Sequence, residues 1–282
     1  MTVETPLLAP SPPRVQDGIA SVFDRASGYY RTLRWEQNRL TRFEKSLTEQ
    51  TLRLALGTTE VESALEIGCG PGTWTGLLAE RAQRVLALDL SEGMLELAGE
   101  AWRGHDRIRF QQGDAARFST DQAFDLVMSV RVLEYVPEWR DVVGRFADLV
   151  KPGGHAVVIT KTPLSVWRGT GRERWFGPHT MARRLRGRQL DPEFWQRHIR
   201  VRDMRAAFAA AGFTDLQVHP VIVGLPVFVR GTKQYPLVPE FAEPPLLRAG
   251  QALWDWASRG GPARRIATLP LSESYAVWGR RR

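Results

Sequence analysis

Between Ser63 and Thr160, short apolar runs alternate with stretches of helical pattern, and few folds can use such an alternation. The apolar runs are "ALEI", "RVLALDL", "IRFQQGDA", "FDLVMSV" and "GHAVVIT". Among them lie "TWTGLLAERA", "SEGMLELAGEAW" and "EWRDVVGRFADLV". Strand–helix alternation predicts a parallel sheet with helices on both faces. Ser91 stands where an N-cap is needed, and "KPGG" at 151–154 punctuates the turn into the fifth strand.

The flanks read differently. From about Val15 to Leu56 the spacing of Leu40, Phe43, Leu47, Leu52, Leu54 and Leu56 among charges is helical, with Gly57 as its stop. Ahead of it, residues 1–14 read as a disordered, proline-rich leader without the basic start and apolar core of a secretory signal. After Thr160 the alternation ends. An Arg- and Trp-rich stretch runs from 161 to 200, followed by a helix "VRDMRAAFAAAG" closed by Gly212 and a strand "FTDLQVHPVIV". A second irregular region, 224–270, contains seven prolines and one helix near Leu246–Ala257, and "SYAVWGRR" is a final strand.

Within the alternating core, the first strand ends in "GCGPG", placing Gly68, Gly70 and Gly72 at the carboxyl edge of a parallel sheet, where ligands bind. Glycine lets a ligand pack against bare main chain. Asp89 ends the next strand, 17 residues after Gly72, where a carboxylate can accept from both hydroxyls of a ribose. A dinucleotide fingerprint would be G-x-G-x-x-G; here the third glycine comes one residue early. Glu66 would also repel a pyrophosphate and suit a cationic ligand. The residues thus favour a nucleoside carrying an amine.

These segments resemble the motifs of class I S-adenosylmethionine-dependent methyltransferases of the small-molecule type. "ALEIGCGPGTWT" resembles the first motif, "VLALDLSEGML" the second and "FQQGDA" the adenine-contact motif. "FDLVMSVRVLEYV" and "LVKPGGHAVVI" resemble the fourth- and fifth-strand motifs. The resemblance implies an α/β, Rossmann-like, seven-stranded, mostly parallel sheet with an antiparallel last strand, a helical N-terminal extension (15–57) and a methyltransferase domain (58–282). Inserts after strands five and six, about 161–200 and 224–270, would form the acceptor cover. S-adenosylmethionine is the implied cofactor. Gly68, Gly70 and Gly72 would line its methionine portion, Glu66 would hold the amino group and Asp89 the ribose. Leu90 and Met94 would lie beside the adenine, with Asp114 and Ala115 accepting from and supporting the ring. Val130 and Arg131 would face the site.

The acceptor is less constrained. "VFDRASGYYRTLRW" resembles the segment that closes over the cofactor in small-molecule relatives, which makes Tyr29, Tyr30 and Arg34 acceptor-site candidates with Arg131; a plain packing helix would read the same. The strand-four end lacks the acid that helps hold a metal in catechol-type enzymes, so the expectation is metal-independent in-line transfer. Tyr135, His179 and His198 are candidate catalytic groups and Trp175 a candidate acceptor contact. Charge is uneven: residues 1–160 carry 18 Lys and Arg against 22 Asp and Glu, and residues 161–282 carry 21 against 9. Seven arginines between Arg168 and Arg188, close to Trp167, Trp175 and Trp195, suit an anionic acceptor or a membrane surface. Expected partners are therefore a small-molecule acceptor and an anionic membrane surface met peripherally, in the cytoplasm. An RNA-directed methyltransferase and a non-catalytic cofactor-binding scaffold are the alternatives.

Overall fold

The computed structural model describes residues 15–165, 168–170, 196–221, 227–230 and 233–282. The leader 1–14 and most of the arginine-rich stretch, including Trp167, Trp175, His179 and Trp195, lie outside the described residues.

The N-terminal extension is two helices, α1 (Val15–Arg31) and α2 (Arg39–Leu56), joined through a π-helical turn at Thr32–Glu36. Asn38 starts α2 with a reciprocal cap: its Oδ1 accepts from Thr41 N at 2.9 Å, while Thr41 Oγ1 accepts from Asn38 N at 3.0 Å. Gly57 ends the helix at φ 66°.

The alternating region folds as its pattern predicts. The strands are β1 (Val61–Ile67), β2 (Ala82–Asp89), β3 (Ile108–Gln112), β4 (Phe124–Val130) and β5 (Val150–Lys161). Between them run α3 (Thr75–Ala79), α4 (Glu92–Ala101) and α5 (Trp139–Leu149). Beyond them come β6 (Arg168–Thr170), α6 (Val201–Ala210), β7 (Phe213–Pro220), β8 (Val227–Arg230), β9 (Lys233–Pro236), α7 (Glu243–Ser258), α8 (Pro262–Thr268) and β10 (Ser274–Arg281). The main sheet has seven strands in the order β3-β2-β1-β4-β5-β10-β7, and β10 runs antiparallel to both neighbours. "FTDLQVHP" and "SYAVWGRR" thus supply the two strands beyond the fifth.

Period-2 alternation divides the core between the sheet faces. Val127, Ala156, Val158, Tyr275 and Val277 pack on one side with Trp139 and Phe146 of α5 and Phe208 of α6. Leu126, Met128, Val157, Ile159, Ala276 and Trp278 pack on the other with Leu52 of α2 and Leu78 of α3. Strands apolar on both faces are what a doubly covered sheet requires.

Two expectations change. "KPGG" is a bulge inside β5 rather than a turn before it. Phe124 pairs with Val150 and Leu126 with His155, and Gly153 takes φ 77° to absorb the extra residues. The region 224–270 is also more regular than its prolines suggest. β8 and β9 form a three-stranded sheet with β6, joining the two inserts, and Pro262 opens a second helix, α8, at a position where its missing N–H is harmless.

Candidate active site

β1 runs into its glycine loop because the loop is tied to the neighbouring strand: Gly68 N and Cys69 N both donate to Leu88 O, at 2.7 and 2.8 Å. All three glycines adopt positive φ (74°, 54° and 72°), yet each is glycine for a different reason. A Cβ on Gly68 would lie 2.1 Å from Val132 Cγ2, and one on Gly72 would lie 2.7 Å from Trp102 Nε1, which donates to Gly72 O at 2.9 Å. Only at Gly70 would a Cβ meet open space. Gly70 is therefore the bare backbone that a ligand can approach. Gly72 is a packing glycine and does not line the cavity.

Asp89, at the end of β2, orders this loop. Its Oδ2 accepts from Gly70 N at 2.7 Å and its Oδ1 from Ser91 N at 3.0 Å. Burial pushes its carboxyl up, and these backbone bonds oppose that shift. Ser91 caps α4 through Met94 N and also donates to Asp24 Oδ1 at 2.5 Å, an oxygen that accepts from Gly93 N as well. Asp24 thereby pins α1 across the start of α4.

A cavity lies beneath α1. It is lined by Gly68, Gly70, Asp89, Leu90, Met94, Asp114 and Ala115, with Val130 at the strand-four edge. Asp114 Oδ1 accepts from Ala116 N at 2.8 Å, which fixes the turn that presents it. The same cavity is lined by Tyr30, Arg131 and Tyr135, together with Phe23, Trp35 and Trp74. Those last three were not anticipated. A polar chain "helix" with aromatics at 23 and 30 hints at Phe23, but nothing local marks Trp35 and Trp74, whose rings meet edge to face at 5.2 Å.

Glu66 lies behind the loop rather than on the cavity wall. It is 1% exposed; Oε2 accepts from Thr75 Oγ1 at 2.6 Å and Oε1 has no hydrogen-bond partner among the described residues. Burial is the main cause raising its carboxyl to about 8. Tyr29 is 47% exposed and does not line the cavity, and Arg34 is set back from the wall, bound to Glu44 Oε2 at 2.7 Å. His198 is also off the wall. Its neighbours Arg197 and Ile199 donate backbone N–H to Glu134 O and Lys161 O, so the segment packs beside the ends of β4 and β5.

A glycine loop after β1, an acid ending β2 and a seven-stranded sheet with one reversed strand define a class I methyltransferase domain. The comparisons with known proteins agree: a family model described as a methyltransferase domain matches residues 64–154. That region belongs to the S-adenosylmethionine-dependent methyltransferases. The chain is 31% identical over 118 residues to nodulation protein S of Rhizobium tropici, an alignment covering 41% of this chain and 50% of that protein. It is 34% identical over 143 residues to trans-aconitate 2-methyltransferase of Methylobacterium radiotolerans, covering 49% and 53%. The chain spans about half the length of these curated relatives. The crystal structure of N-methyltransferase NodS from Bradyrhizobium japonicum with S-adenosyl-L-homocysteine shares the fold, with TM-score 0.59, 18% identity, and coverage of 94% of this chain and 99% of that one.

Proposed function

We propose that this protein transfers a methyl group from S-adenosylmethionine to a small-molecule acceptor without a metal. The observation that carries the reading is one cavity lined by two chemically distinct sets of residues. Glycines and carboxylates that follow β1 and β2 share it with the aromatic side chains Phe23, Tyr30, Trp35, Trp74 and Tyr135.

The residues fit the cofactor. Gly70 leaves main chain open to a ligand, and Glu66, behind the loop, would reach an ammonium group only through a bridging water. Asp89 and Asp114 would hold the ribose and adenine, with Leu90 and Met94 against the ring. When bound, S-adenosylmethionine supplies a methyl group already activated by a sulfonium centre. The chain's task is then to align the acceptor and exclude water. Phe23, Trp35 and Trp74 supply apolar wall, and α1, held by Asp24, covers the cavity. Tyr30 and Tyr135 are held protonated, since burial is the largest cause raising both phenols. They serve as hydrogen-bond donors, not bases. Arg131 stands at the strand-four end, where a guanidinium is hostile to a metal cation. Incubating the protein with methyl-labelled S-adenosylmethionine and fractionated metabolite extracts tests the reading. Label should enter a small acceptor with a chelator present, and a protein that binds cofactor yet labels nothing would leave only the scaffold reading.

A second element concerns delivery. Phe241, Leu237 and Ile266 are 84, 54 and 57% exposed on the same half of the chain that carries the basic excess. No described helix is long and apolar enough to cross a membrane, so attachment would be peripheral. We propose that this half meets an anionic surface bearing the acceptor. Charge reversal at Arg183, Arg184 and Arg186 should release the protein from anionic vesicles, and the wild-type attachment should fade as salt rises. Unchanged sedimentation would make the arginines a solvated face.

A further inference from the structure

Arg131 is the non-glycine residue of the site held at positive φ, 63°. Such a backbone persists only where its surroundings over-determine it. Its N–H donates to Ile159 O at 2.7 Å, and its Nε donates to Glu134 Oε1 at 2.7 Å. Glu134 is itself fully buried and fixed. Its Oε2 accepts from Thr160 Oγ1 at 2.7 Å, and its backbone oxygen accepts from Arg197 N at 2.7 Å. Nη2 lies 3.6 Å from Glu273 Oε1. That leaves Nη1, which is buried and has no acceptor among the described residues. A buried donor of a charged group left unmatched is costly, and Arg131 borders the cavity. Tyr30 and Tyr135 both lie in the electrostatic field of Arg131 and Arg34. Around them Phe23 meets Tyr30 at 5.8 Å and Tyr135 at 5.5 Å, edge to face in each case.

We propose that Arg131 selects the acceptor. Its unmatched N–H, in a cavity that Tyr30 and Tyr135 also line, holds an oxygen atom on a planar aromatic acceptor, and Glu134 is the positioning residue that aims it. This deepens the proposed function and rests on the cavity being a methyl-transfer site. Glu134 already balances the guanidinium charge, so what remains is a directed donor rather than a free positive field. A phenolic or carbonyl oxygen suits such a donor, and a compact polyanion does not. Edge-to-face rings around it supply flat apolar contact for the body of the acceptor.

The test uses the full chain saturated with S-adenosylhomocysteine, with 2-naphthol, naphthalene and citrate as probes in equilibrium dialysis. Wild type should prefer 2-naphthol over naphthalene by roughly ten-fold or more, the effect of one charge-assisted hydrogen bond. Arg131→Gln should bring that ratio close to one. Arg131→Lys, which keeps the charge but removes the fork, should lower it too and serves if the glutamine variant does not fold. Glu134→Gln should cut the ratio while S-adenosylhomocysteine affinity stays within two-fold, which a merely structural role would not do. A ratio near one in wild type, a ratio that survives both Arg131 variants, or citrate binding more tightly than 2-naphthol would each overturn the proposal. Failure of wild type to bind S-adenosylhomocysteine would instead strike the methyltransferase reading, and an Arg131-dependent oxygen preference would then stand alone.

Discussion

Replacing Glu66 with glutamine should stabilise the protein, and the gain should grow with pH. Glu66 is buried behind the glycine loop with one oxygen bonded to Thr75 and the other unpartnered. Burial, opposed by the Thr75 bond and reinforced by the charge of Asp89, raises its carboxyl from 4.5 to about 8. Between those values the folded chain holds a proton that the unfolded chain has released. The stability supplied by that proton is complete below pH 4.5, falls as pH rises, and is gone by about pH 8. Each pH unit is worth about 1.4 kcal/mol, so the span from pH 5 to 8 amounts to about 4 kcal/mol. Glutamine keeps the shape and an oxygen for Thr75 but does not ionise. The variant should therefore match wild type near pH 5 and exceed it by about 4 kcal/mol near pH 8. Urea unfolding of both proteins at each pH, extrapolated to water, measures the difference; other titrating groups cancel to first order. A difference that stays flat from pH 5 to 8 would refute the reasoning.

Both Gly68→Ala and Gly70→Ala strain a positive φ, but Gly68→Ala should destabilise folding by about 1–3 kcal/mol more through its clash with Val132, whereas Gly70→Ala should add a loss of cofactor binding. Thermal unfolding and calorimetry on the two variants separate these effects, and equal behaviour would remove the distinction between the glycines. Asp89→Ala should weaken S-adenosylmethionine and its demethylated product by about 1.5–3 kcal/mol each. Unchanged calorimetric affinity would dismiss Asp89 as the ribose acid.

The sheet was legible because its signals are local. β1 to β5 announce themselves by apolar runs, and Ser91, Gly57 and Gly212 mark helix ends by their own chemistry. What escaped was everything set by a distant partner. "KPGG" became a bulge because the register against β4 needed one. Gly72 reads as a ligand glycine, yet its constraint is an indole 30 residues away at Trp102. Phe23, Trp35 and Trp74 entered the site because α1 and the π-turn fold back over the loop after β1, which no periodicity encodes. The same holds for Asp24, an ordinary surface acid in sequence that α4 turns into a cap.

The parts of the cavity wall are consequently built on different principles. Around the glycine loop, main chain does much of the holding: Asp89 spans Gly70 N and Ser91 N, and the loop hangs from Leu88 O. Such a lattice tolerates little change because its donors and acceptors have no substitutes. The rest of the wall is made by side chains from α1, the π-turn and the end of β4. Arg34 lies 3.8 Å over the Trp35 ring while its Nη1 reaches Glu44, so the π-turn sends adjacent residues to different partners. On the proposed function, a chain organised this way would change its acceptor while keeping its methyl donor, and Arg131, Glu134 and their aromatic neighbours would set that choice.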